Sequence, residues 1–119
     1  MKFKRLNLLD EYRLMPKKLS EMTELFESIS MRFDIEPVVT RIMETIKGSS
    51  GVHEAGRAID FRDEHAGVSL YTEDQREILL NEINAKYTRS DGRMTLIWHS
   101  FNGAPHHFHL QQAIEEKHG

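Results

Sequence analysis

Met94-Thr95-Leu96-Ile97-Trp98-His99 and His106-His107-Phe108-His109-Leu110-Gln111 read as two successive strands, joined through Phe101-Asn102-Gly103-Ala104-Pro105. Ser90-Asp91-Gly92-Arg93, with its Asp-Gly turn signal, leads into the first of them. Before that turn the pattern is helical. Thr72-Glu73-Asp74-Gln75 is a capping box, with Gln75 three residues after a threonine N-cap. Ile78, Leu79, Ile83 and Tyr87 carry the helix on to about Tyr87. A short strand is expected over Arg57 to Arg62, centred on Ala58 and Ile59, after a Gly48-Ser49-Ser50-Gly51 loop. Val38 to Met43 is a β-branched run that reads as a strand beyond Pro37. Upstream, Leu19, Met22, Phe26, Ile29 and Phe33 recur at steps of three and four. That spacing predicts a helix from Pro16 to Phe33, with Pro16 in its first turn and the apolar face in the core. Helix, strand, strand, helix, strand, strand implies an α+β fold: a small, mostly antiparallel sheet flanked by two main helices.

Composition bounds the rest. A chain of 119 residues with 39% hydrophobic content can bury one core, so residues 1–119 are expected to form a single domain. Charged residues make up 29% and the mean hydropathy is −0.56. No stretch approaches the roughly 18 apolar residues of a membrane span, and no membrane partner is expected. The absence of cysteine excludes disulfide scaffolds, thiolate zinc fingers and cysteine nucleophiles. A net charge of −3 gives no electrostatic drive toward nucleic acid. At the N-terminus, Asp10 and Glu11 interrupt the apolar run well short of the roughly 7–15 residues of a signal-peptide core. The expectation is therefore a protein cytoplasmic as synthesised, and a monomer.

The chemistry-bearing residues are histidines. Seven are present, and His99, His106, His107 and His109 crowd into one short region. In His107-Phe108-His109, strand alternation sends both imidazoles to one face and Phe108 to the other. Imidazoles gather poorly on an apolar sheet, because their nitrogens need partners. Upstream, His53 and Asp60 are separated by Gly56, which lets a loop bend so that imidazole and carboxylate converge. Taken alone, that pair fits a surface histidine and a strand-end aspartate better than a metal site. Together the two patterns supply His, Asp and His, the three-ligand set of a catalytic zinc site with a fourth position for water.

Gly51-Val52-His53-Glu54-Ala55-Gly56-Arg57-Ala58-Ile59-Asp60 resembles the S-x-H-x-x-G-x-A-x-D signature of the zinc D-alanyl-D-alanine carboxypeptidases, a family that includes phage endolysins. His107-Phe108-His109 is similar to the H-x-H motif of related peptidoglycan endopeptidases. The resemblance spans roughly residues 36 to 111 and implies a zinc peptidase-like domain with its site on the sheet. By this resemblance His53, Asp60 and His109 are zinc ligands, and His107 stands beside the metal. His106, or His107 where geometry favours it, handles the proton, and Arg41 binds a substrate carboxylate. Glu54 and His99 are candidates to orient the ligand histidines, and Trp98 and Phe101 to floor the cleft. Two positions depart from the pattern. Gly51 replaces the signature serine, and His106 stands where the family carries a Glu or Asp as general base.

The implied activity is zinc-dependent hydrolysis of peptide bonds in peptidoglycan stems or cross-links, the ion activating water and polarising the carbonyl. An endolysin-like protein would wait in the cytoplasm and reach the wall on phage lysis. A second reading keeps the fold and the zinc without catalysis, as in a phage structural or binding protein. A third is an α+β domain whose histidines bind no metal.

Overall fold

A computed structural model describes residues 1–42, 57–100 and 103–112. In chain order the elements are β1 (Lys2–Phe3), α1 (Asn7–Arg13), α2 (Lys17–Arg32), β2 (Val38–Arg41), β3 (Ala58–Arg62), β4 (Glu64–His65), β5 (Val68–Ser69), α3 (Glu73–Lys86), β6 (Leu96–His99) and β7 (His107–Gln111). Five strands make one sheet in the order β1-β2-β3-β7-β6, and β4 pairs with β5 separately. Only the β1–β2 pairing in the five-stranded sheet is parallel. The architecture is α+β with a mostly antiparallel sheet, as the element order predicts.

The two long helices form where the periodicity places them. Pro16 is the N-cap of α2 rather than a residue of its first turn, and its carbonyl accepts from Ser20 N–H at 3.0 Å. Leu19, Met22, Phe26 and Ile29 are buried, and Phe33 packs against the core from its edge. On α3 the capping box is closed in both directions. Gln75 N–H donates to Thr72 Oγ1 at 3.2 Å, and Thr72 N–H donates to Gln75 Oε1 at 2.9 Å. Thr72→Ala is expected to cost about 1 kcal/mol, read as a lower urea midpoint at unchanged slope. Leu79 and Ile83 turn inward from α3, whereas Ile78 is substantially exposed. The buried stripe is therefore narrower than the four apolar positions suggest.

Three regions depart from expectation. Residues 1–13 form β1 and α1: Lys2 N–H donates to Pro37 O at 2.8 Å, and Leu8 is fully buried. A β4–β5 hairpin follows β3, turning on Ala66 (φ 52°) and Gly67 (φ 78°). Positive φ at both central residues is the backbone of the twisted two-residue hairpin turn. The strands β6 and β7 begin later than predicted, at Leu96 and His107. The start of β6 is held instead by α3: Asn84 Oδ1 accepts from Thr95 and Leu96 N–H, both at 2.8 Å, and its amide donates to Leu96 O at 3.0 Å. No helix among the described residues is long and apolar enough to cross a membrane.

Candidate metal centre

The sheet register builds this region from residues far apart in sequence. β3 and β7 are antiparallel, with Asp60 opposite His109 and Phe61 opposite Phe108. β6 and β7 are antiparallel too, with His99 opposite His107 and Leu96 opposite Leu110. Alternation then divides the side chains cleanly. Ile59, Phe61, Leu96, Phe108 and Leu110 enter the core cluster. Asp60, His99, His107 and His109 share the opposite face.

These four groups are in mutual reach. His109 Nδ1 lies 2.8 Å from Asp60 Oδ1, and both residues are buried. His107 Nε2 is 3.5 Å from Asp60 Oδ2. The His99 ring centroid is 4.7 Å from that of His107 and 5.5 Å from that of His109. Gln111, two residues beyond His109 on the same face, approaches His109 Nε2 with Oε1 at 2.9 Å.

Counting donors and acceptors shows what the group wants. A carboxylate only accepts, so the Asp60–His109 bond puts the proton on His109 Nδ1. Its Nε2 faces the Gln111 side-chain amide, whose oxygen or nitrogen can serve it. His107 Nδ1 is 3.3 Å from the Pro105 carbonyl, which also only accepts. Its Nε2 is directed at Asp60 Oδ2. His99 Nε2 is buried with no hydrogen-bond partner among the described residues. Burial, and then the neighbouring His107 and His109, push the His99 pKa down, so its ring is neutral. The face gathers imidazole nitrogens and a carboxylate, a donor set of the kind that suits zinc. Among the described residues, no three such side chains are already drawn together as a metal shell. Asp60 instead spends Oδ1 on His109, and accepting an ion there would replace that hydrogen bond.

Of the residues singled out from sequence, Asp60, His107 and His109 are brought together. Arg41 joins them at the sheet: the β2–β3 register shifts between Val39 and Arg41, so that Arg41 rather than Thr40 pairs with Asp60. His53, Glu54, Gly51, Gly56 and Phe101 lie outside the described residues. His106 is not brought to this face. Its ring stacks on Trp98 at 4.1 Å, and Trp98 pairs in register with Phe108 on the core side. Glu64 Oε1 accepts from both His106 N–H (2.8 Å) and His106 Nδ1–H (2.6 Å). Those bonds hold the Glu64 carboxyl below its usual pKa, the backbone donor contributing most. Trp98 likewise serves the core side: its Nε1–H donates to Asp63 Oδ2 at 2.7 Å, and the Arg76 guanidinium lies 4.4 Å from its ring centre.

His99 enters more directly than the orienting part expected of it, since its own Nε2 is unsatisfied at the face. Gln111 is not among the residues singled out from sequence, although its parity with His107 and His109 on one strand places it there. Compared with known protein families, with curated proteins and with solved structures, the chain matches none of them.

Proposed function

We propose that the chain is a zinc-dependent peptidase that hydrolyses stem or cross-link peptides of peptidoglycan, in the manner of an endolysin. The observation that supports it most is the meeting of Asp60, His107 and His109 on one sheet face, with the Asp60 carboxylate between the two imidazoles. Asp60 and His109 would hold the ion together with His53. When bound, the ion supplies Lewis-acid polarisation of a peptide carbonyl and activation of water. His107, with Nδ1 turned to Pro105 O, offers Nε2 as the proton acceptor on this face. It takes the part for which His106 was the first candidate, because His106 is engaged with Glu64 and Trp98. Arg41, opposite Asp60 on β2, would receive a substrate carboxylate through its forked guanidinium.

The placement of His106 also favours a second reading, a zinc-binding module without catalysis, such as a phage structural or binding protein. Metal content and wall digestion separate the two. Protein purified without chelators is expected to carry about one zinc per chain and to solubilise purified cell walls. Asp60→Ala is expected to lose most of both. Zinc without wall digestion would select the non-catalytic module. A wild-type protein that takes up no metal even when zinc is supplied would end both.

A further inference from the structure

We propose that His99 is a further ligand of the divalent ion held on this face, with Nε2 as the donor atom. The inference rests on the metal-centre reading above and extends its ligand set to β6, the edge strand of the sheet. Register places His99 directly opposite His107, so its ring stands beside the Asp60–His109 pair rather than in the core. A buried imidazole nitrogen without a partner forfeits its hydration and gains nothing in return. The nearest polar groups among the described residues do not relieve it. His109 Nδ1–H is directed at Asp60 and His107 Nδ1–H at Pro105, so neither donates to His99. A cation answers the need, because it satisfies a lone pair without a proton.

The test counts imidazoles at the metal. Zinc-loaded full-length wild type, His99→Ala and His99→Gln are compared by zinc K-edge X-ray absorption, with circular dichroism to establish that each is folded. His99→Gln keeps a polar side chain on β6 in case alanine unsettles the strand. The expected result is one imidazole fewer in both variants. Zinc affinity should also fall by more than about 100-fold, beyond the usual loss from an outer-shell partner. Folded variants that take up no zinc at all would support the proposal equally. An unchanged imidazole count in zinc-loaded variants, whatever the affinity, would overturn the proposal for His99 and leave the metal centre standing. A wild type that binds no zinc would overturn the metal centre and the His99 proposal together.

Discussion

Asp63→Ala is expected to destabilise the protein by about 3–5 kcal/mol, the range for removing one partner of a buried ion pair. Asp63 follows β3 directly, and its side chain is fully buried. Three donors converge on it: Tyr71 N–H at 3.0 Å, Arg76 Nη1 at 3.2 Å and Trp98 Nε1–H at 2.7 Å. Its backbone carbonyl also accepts from Leu70 N–H at 3.0 Å, which closes the β4–β5 hairpin. One carboxylate therefore ties the end of β3 to α3, to β6 and to the chain leading into the Thr72 cap. Alanine would leave a largely buried guanidinium with the Tyr71 carbonyl (3.0 Å) but no carboxylate, and would take the acceptor from the Tyr71 and Trp98 N–H groups. Such a loss is a large fraction of the 5–15 kcal/mol by which domains are stable. Asp63→Asn keeps one accepting oxygen and is expected to lose less. Urea unfolding of the two variants, with a double-mutant cycle to Arg76→Ala, measures the pair. A loss under about 1 kcal/mol for Asp63→Ala would show that water replaces the carboxylate easily. Since β3 carries Asp60 and β6 carries His99, Asp63 also braces the strands that position the candidate metal ligands.

Phe26→Ala is expected to cost a similar amount, about 3–5 kcal/mol, through the cavity it leaves. Phe26 is fully buried on α2 and stacks on Phe61 of β3, with ring centroids 4.0 Å apart and planes 8° apart. Phe108 and Tyr71 meet it edge-on, at 5.3 and 6.2 Å. Phe61 and Phe108 are register partners, the neighbours in sequence of Asp60 and of His107 and His109. The aromatic cluster thus presses on the core side of the two strands whose opposite side carries the candidate site. Tyr71 closes the cluster, its hydroxyl 2.8 Å from Ser30 Oγ, and burial raises its pKa to about 12. Thermal unfolding with Phe26→Leu as the smaller step gives the measurement. Near-equal losses for Leu and Ala would mean that ring stacking, rather than filled volume, carries the stability.

Local features of the sequence proved readable because their causes lie within a few residues. The apolar spacing of Leu19, Met22, Phe26 and Ile29 acts over one or two helical turns, and the Thr72–Gln75 box over three residues. Both can be read without knowing the rest of the chain. The parity of His107 and His109 is of the same kind, and it already sends His106 to the other face. The family resemblance, which counts positions along the chain and not faces, put His106 in the site. Ala66 hid the β4–β5 hairpin, because alanine carries no turn preference and adopts positive φ only under the constraint of its surroundings. The first thirteen residues show no element when read alone, since β1 has meaning only against β2, more than thirty residues later.

By itself, the sequence determined the two long helices, the approximate positions of the four longer strands, the α+β class and the alternation of those strands, all products of short-range sterics and hydrogen bonding. Tertiary structure decided which strands lie side by side. The contact of Asp60 with His109 spans 49 residues, and the approach of His99 to both histidines depends on the β6–β7 register. Those registers follow from which pairing buries Ile59, Phe61, Leu96, Phe108 and Leu110 together. That choice is made by the whole core, and no local segment contains it.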